Sequence, residues 1–190
     1  MKSMSKKVLV IYGSHRQQSN SAIAAEALIS ALPEGYEIIR RRLADMEINH
    51  CSGCFACRKN GNICMHKDDA VSLLEEIAAA DKVIITVPVF FSQASSSVTA
   101  FIHRGYNLLS GENGRYSLRI EPKDTAVIYS QGSPFPEEFA AGIELTNRAL
   151  SAMGLKVKAH MVCTLSNEPG TAANRPELLA EAAKLAERLM

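Results

Sequence analysis

No apolar run in the chain approaches the roughly 18 residues needed to span a bilayer, so no membrane association is expected. Charge of one sign is not in excess either. Lys and Arg number 21, Asp and Glu 20, and the formal net charge is +1. That balance offers no footing for nucleic acid or an anionic surface, and nucleic acid is not expected as a partner. The N-terminal MKSMSKK leads into a short apolar run, Val8 to Tyr12, that ends at Gly13 without a small-residue cleavage site. A signal peptide is therefore not expected, and the expected location is cytoplasmic. Repeats, linkers and low-complexity tracts are also missing, so residues 1–190 are read as one globular domain.

What is present is alternation. Lys7 to Tyr12 (KVLVIY), Tyr36 to Leu43, Lys82 to Val87 (KVIITV), Thr125 to Ser130 (TAVIYS) and Lys156 to Leu165 read as strands. Helical patterns follow at Asn20–Leu32, from Asp68 and Asp69 to about Ala80, and at Ser95–Leu109, Pro136–Met153 and Pro176–Met190. Near-continuous apolar strands belong to a sheet covered on both faces. Five β–α units predict an α/β fold, a parallel doubly wound sheet with helices on both sides. Ligands of such sheets sit beyond the carboxyl ends of the strands, which singles out the loops after the first, third and fourth strands.

The first of these loops, GSHRQQSNS (Gly13 to Ser21), lacks the G-x-G-x-x-G and Walker patterns. It offers hydroxyls at Ser14, Ser19 and Ser21, an amide at Asn20 and a guanidinium at Arg16, ahead of a helix N-terminus. Such a set suits the phosphate of a mononucleotide, although it also suits an ordinary capped β–α loop. The third-strand loop, PVFFSQASSSVTAFIHR (Pro88 to Arg104), brings Pro88, Val89, Phe90, Phe91, Ser92, Gln93 and Ser95. Aromatic walls with a few polar edges suit a flat ring. The fourth-strand loop contains Ser130, Gln131, Gly132 and Ser133, with Gly132 allowing close backbone approach.

Four of the five cysteines, Cys51, Cys54, Cys57 and Cys64, form C-x2-C-x2-C-x6-C. The first three have the spacing of an iron–sulfur loop. Four-thiolate zinc and reduced thiols shaping a loop are the other readings. Arg58, Lys59, His66 and Lys67 flank the motif and would offset its negative charge. Cys163, in an apolar strand, reads as a core thiol.

The first loop resembles the G-S-x-R-x-x-S-N-[ST] phosphate loop of the NADPH-dependent FMN reductase family, in the flavodoxin-like superfamily. The third loop resembles that family's P-V-[YF]-[WF]-x-x-x-S-x-x-[LM]-K-x-F-[IL]-D-R signature, matching at Pro88, Val89, Phe90, Phe91, Ser95, Phe101, Ile102 and Arg104. Thr99, His103 and Ser92 depart from the usual lysine, aspartate and glycine, and His15 from a frequent proline. The stretch CSGCFACRKNGNICMHKDDA resembles the cluster motif of the iron–sulfur flavoproteins within this family. The resemblance implies a flavodoxin-like three-layer sandwich with strand order 2-1-3-4-5. It implies FMN held by the three loops, with NAD(P)H as donor and free flavin, a quinone or another small molecule as acceptor. No side chain is singled out as acid or base, because hydride transfer to a flavin needs none. The iron–sulfur relatives imply an alternative: electrons from ferredoxin passing through a 4Fe-4S cluster on Cys51, Cys54, Cys57 and Cys64 to FMN. A homodimer or homotetramer is implied as well.

Overall fold

The structure is a computed structural model that describes residues 6–59, 64–111 and 115–190. Its centre is a parallel sheet of five long strands: β1 (Lys6–Tyr12), β2 (Tyr36–Arg42), β3 (Lys82–Phe90), β7 (Lys123–Ser130) and β8 (Leu155–Cys163). They lie in the order β2-β1-β3-β7-β8, the flavodoxin-like 2-1-3-4-5 arrangement. Three short strands were not expected. β4 (Gln93–Ala94) folds back antiparallel on β3, while β5 (Leu109–Ser110) and β6 (Ser117–Leu118) form a separate hairpin.

Strand alternation sorts the side chains into two cores. Leu9, Ile11, Val83, Ile85, Val127 and Tyr129 face α3 (Asp69–Ala79), α4 (Ser96–Arg104) and α5 (Ala140–Ala152). Val8, Val10, Ile84, Ala126, Ile128 and Met161 face α1 (Asn20–Ser30) and α6 (Pro176–Leu189). Five residues of β1 in a row are buried because helices cover both of its faces. α6 begins with Pro176, at a position where a missing N–H costs nothing, and buries Leu178, Ala182, Leu185 and Leu189 along one stripe.

Register aligns the carboxyl ends. Tyr12 pairs with Arg42 and Thr86, Pro88 with Ser130, and Ser130 with Cys163. The loops after β1, β3, β7 and β8 therefore emerge along one edge. β3 does not stop at Pro88, as the sequence suggested, but runs on to Phe90. Past Pro88 the chain leaves the parallel ladder, and Val89 and Phe90 pair with Ala94 and Gln93 instead. The tight turn between them holds Phe91 and Ser92 at φ of 47° and 64°, the paired left-handed conformation of a two-residue hairpin. Helical structure after β3 is shorter than expected, since α4 ends at Arg104 and a 3-10 turn follows. α5 starts at Ala140 because residues 135–140 are occupied by successive turns. The cysteine segment carries one short helix, α2 (Ala56–Lys59).

Candidate functional site

The first loop leaves β1 through Gly13, whose N–H donates to both the carbonyl and the hydroxyl of Thr86, each at 3.1 Å. A Cβ at this position would collide with the Thr86 carbonyl oxygen and the Val98 side chain, so the approach is open only to glycine. The Gly13 carbonyl accepts from Ser95 and Ser97 at 3.4 and 3.3 Å. These bonds tie the first loop to the start of α4.

Ser19 is the N-cap of α1. Its side chain makes no capping bond and lies 3.0 Å from the Ser21 hydroxyl. The first turn of α1 contains no acidic residue, so its free N–H groups face the loop uncompensated, an arrangement that favours an anion. Arg16 Nη1 donates to the carbonyls of Ser166 and Asn167 at 3.1 and 2.7 Å, joining the first loop to the one after β8.

A cavity of about 430 Å³ opens at this edge, within the size range of small-molecule sites. Ser14, Arg16, Ser19 and Asn20 line it from the first loop, Pro88, Val89, Phe90 and Ser95 from the third, and Ser130, Gln131 and Gly132 from the fourth. Three distant segments thus meet where the sequence placed them.

Five expected residues stand elsewhere. Ser21 is fully buried on the first turn of α1, with its hydroxyl toward Ser19. Phe91, at the hairpin tip, is 96% exposed, and the exposed Gln93 sits on the returning strand. Ser92 presses its carbonyl against α5, where a Cβ at Gly142 would collide with it. Ser133 donates to the Glu138 carboxylate and accepts from the Phe135 N–H, which commits it to the turns that precede α5. Asn20 lines the cavity, but its side chain is committed to the loop after β8. It donates to Glu168 O and Thr171 Oγ1 and accepts from Ala172 N. Its role is to brace the loop, rather than to offer a free amide.

Sequence reasoning missed Gly13, His15, Ser96, Ser97, Ser166 and Asn167 as lining residues. The last two belong to the β8 loop, which carried no motif. Only the general rule that ligands lie at the carboxyl edge pointed to it.

Gln131 is the most informative wall residue. It is 2% exposed, and its Nε2 donates to Phe135 O at 2.7 Å. Its Oε1 is buried without a hydrogen-bond partner among the described residues. Such an acceptor is costly unless a ligand donor meets it. The imide N–H of a flavin is a donor of this kind. Together with the uncompensated helix mouth and the exposed Phe90, it makes the cavity fit FMN.

The cysteine segment packs against the β5–β6 hairpin. The Arg58 guanidinium lies over the rings of Phe55, Tyr106 and Tyr116, at 4.6, 4.9 and 4.2 Å, and donates to the Tyr116 hydroxyl at 2.6 Å. Arg119 donates to Cys57 O at 3.3 Å, and Arg104 Nη2 to Cys64 Sγ at 3.2 Å. Two of the three arginines that bracket the segment thus come from remote parts of the chain. Burial pushes the Cys57 thiol up, and negative charge at Cys64 and Cys51 adds to this. Cys54 is exposed, and its thiol is held below the ordinary range by hydrogen bonds from the Ala56 backbone and the Ser52 side chain. The donor types suit an iron–sulfur cluster, yet among the described residues no three metal-ligating side chains are assembled as a metal site. Cys163 is buried in the core, as expected. No described helix is long and apolar enough to cross a membrane.

Comparison with known proteins agrees with this geometry. An iron–sulfur flavoprotein of Archaeoglobus fulgidus is 29% identical over 150 residues, 78% of this chain and 64% of that one. Another, of Methanocaldococcus jannaschii, is 35% identical over 106 residues, 55% of this chain and 54% of that one. The chain thus spans between half and two thirds of the length of these relatives. Among solved structures, an NAD(P)H:quinone oxidoreductase of Methanothermobacter marburgensis superposes with a TM-score of 0.73 at 17% identity, covering 98% of this chain and all of the other. An FMN-dependent NADH-azoreductase of Bacillus anthracis, solved in complex with FMN, gives 0.70 at 12% identity, covering 97% of this chain and 99% of that one. At such identities the structural likeness establishes the fold. The family model described as NADPH-dependent FMN reductase matches residues 6–114, more than half of the sequence, and the chain belongs to that family.

Proposed function

We propose that the chain is an FMN-dependent oxidoreductase that takes electrons from NAD(P)H and passes them to free flavin, a quinone or another small acceptor. The observation that carries this reading is one cavity, at the carboxyl edge of the sheet, lined both by the mouth of a helix without a compensating charge and by Gln131, whose buried acceptor has no partner among the described residues. Bound FMN would supply the hydride and electron chemistry. The α1 N–H groups, with Ser14 and Ser19, would hold its phosphate, while Arg16 keeps the first loop against the last. Gln131 and the backbone near Gly132 would meet the polar edge of the ring, and Phe90 with Val89 would wall it. No side chain is assigned as acid or base. The exposed Phe90 and Phe91 beside the cavity mouth support a second copy of the chain completing the site, and so a homodimer or homotetramer. The free thiols support a reducing, cytoplasmic location.

The test is anaerobic. The FMN-loaded protein is mixed with NADPH or NADH and the flavin absorbance followed, with and without a quinone or free flavin. Bleaching by either dinucleotide, reversed by the acceptor, is expected. Bound FMN that neither dinucleotide reduces would contradict the enzymatic reading.

A second reading is favoured by the relatives, which are named iron–sulfur flavoproteins, and by the C-x2-C-x2-C-x6-C spacing of the four cysteines. In it the four-cysteine segment holds a 4Fe-4S cluster and ferredoxin is the donor. Iron and sulfide analysis of anaerobically purified protein separates the two readings. About four of each per chain is the expectation of the second, and neither metal nor sulfide would remove it.

A further inference from the structure

The β5–β6 hairpin, which the expected fold lacks, brings positive charge to the cysteine segment. Arg119 follows β6 directly. Its backbone N–H donates to Leu108 O at 2.9 Å, its Nη1 to Asn107 O at 3.1 Å and its Nη2 to Cys57 O at 3.3 Å. Tyr116, just before β6, accepts from Arg58 Nη1 at 2.6 Å. With Phe55 and Tyr106 it also gives the Arg58 guanidinium ring faces to lie over. Arg58 adjoins Cys57 in the chain. Two guanidiniums are thus held at one cysteine, one by backbone carbonyls and the other by aromatic rings.

Neither charge is cancelled. Among the described residues, Arg58 and Arg119 make no ion pair with a carboxylate. Carbonyls, a phenol and ring faces orient a guanidinium without removing its charge. Arg58 Nε is, in addition, buried with no hydrogen-bond partner among the described residues. Arg104 is the contrast. Its Nη2 donates to Cys64 Sγ at 3.2 Å, but Asp68 Oδ2 stands 2.6 Å from Nη1 and offsets its charge. Half-buried cations without counterions are costly unless an anion meets them. Four thiolates around iron and sulfide would be such an anion, and Cys51, Cys57 and Cys64 are themselves half-buried. The orphaned donor and the two uncompensated charges therefore fit that group, which gains a further negative charge when it is reduced.

We propose that Arg119 and Arg58 set the reduction potential of a 4Fe-4S cluster on Cys51, Cys54, Cys57 and Cys64, by placing beside it positive charge that favours its reduced form. The assignment rests on the cluster reading of the cysteine segment. Both are positioning residues: they ligate nothing and act on the cluster through their charge. Arg104, with its charge offset, acts through its hydrogen bond to Cys64 and by anchoring the segment. Arg119 reaches Cys57 from 62 residues away in the sequence. The potential is therefore a property of the hairpin as well as of the cysteine motif.

The test is a potentiometric titration of the anaerobically purified, FMN-loaded protein, followed by the electron paramagnetic resonance of the reduced cluster. Arg119→Gln is expected to shift the reduction equilibrium at least tenfold toward the oxidised form, a midpoint lower by about 59 mV. Arg58→Gln is expected to shift it in the same direction, and the double variant further than either. Arg119→Lys, which keeps the charge and loses the fork, should stay within threefold of the parent. A midpoint that Arg119→Gln leaves unchanged, or that Arg119→Lys lowers as far as Arg119→Gln does, overturns the proposal, because a role confined to pinning the segment predicts one or the other. Iron, sulfide and FMN are measured first in every variant. Iron lost from Arg119→Gln but retained in Arg119→Lys supports the charge role, and iron lost from both overturns it. A parent chain without iron and sulfide contradicts the cluster reading and the proposal with it. A cluster whose midpoint does not move contradicts the proposal alone.

Discussion

Arg104 Nη1 donates to Asp68 Oδ2 at 2.6 Å, and the two side chains are 1% and 3% exposed. The pair joins α4, which follows the ring loop, to the N-cap of α3, where Asp68 also accepts from the Ala70 N–H. Arg104 reaches on to Asn49 O and Cys64 Sγ. One buried ion pair therefore fixes the cysteine segment against the loop that walls the cavity. Removing the carboxylate strands a buried guanidinium, which costs about 3–5 kcal/mol. Asp68→Asn should lower urea-unfolding stability by about that amount with an unchanged m-value. A loss under about 1 kcal/mol would contradict this role for the pair.

The same pair sets an acid dependence. Burial alone would raise the Asp68 carboxyl. Hydrogen bonds from Arg104 and the Asn49 backbone more than offset this and hold it at about 2, against 3.8 unperturbed. A depressed folded value means that the contribution is complete above about pH 4 and is lost as pH falls toward 2. The shift is worth about 2 kcal/mol. The stability gap between the parent and Asp68→Asn should therefore narrow by about that much between pH 5 and pH 2. A gap independent of pH would exclude the mechanism.

Gly13→Ala is predicted to affect fold and ligand together, because its Cβ would meet backbone at Thr86. Overpacking of this kind costs about 1–3 kcal/mol. Thermal unfolding should shift accordingly, and FMN affinity should fall at least tenfold as the first loop moves. Unchanged affinity would place the phosphate elsewhere.

Gln131→Met keeps the wall apolar and removes the orphaned acceptor. FMN binding should weaken about tenfold, the value of one buried hydrogen bond of about 1.5 kcal/mol. An unaltered affinity, read by fluorescence quenching, would mean that Oε1 does not face the flavin.

The cysteines should separate by exposure. Burial pushes the Cys163 thiol up to about 12, and the residue is 0% exposed, whereas Cys54 is exposed. In metal-free native protein at pH 8, iodoacetamide should label Cys54 and spare Cys163 until denaturant is added, as read by peptide mass spectrometry. Early labelling of Cys163 would contradict the core packing.

The sheet was legible because β1, β3 and β7 are apolar runs, and two-sided burial writes itself into composition. The β5–β6 hairpin and the turn at Phe91 and Ser92 were not, since two-residue strands have no period and left-handed backbone at a phenylalanine is not encoded locally. Ser14, Arg16, Gln131 and Gly132 line the cavity, and their place at its edge was legible because motif and topology agreed on their loops. Asn20 was read as a ligand group because an amide next to a phosphate loop looks the same in sequence whether it faces the ligand or braces a neighbour 148–152 residues away. Arg104 and Arg119 escaped as partners of the cysteine segment for the same reason: their contacts are tertiary.

A phosphate held at the mouth of α1 is the central claim, and riboflavin is the control that removes only that group. Equilibrium titration of the unloaded protein should give FMN at least ~100-fold tighter binding than riboflavin, the worth of about two charge-assisted hydrogen bonds. Equal affinity for the two flavins, or binding of neither, would contradict it.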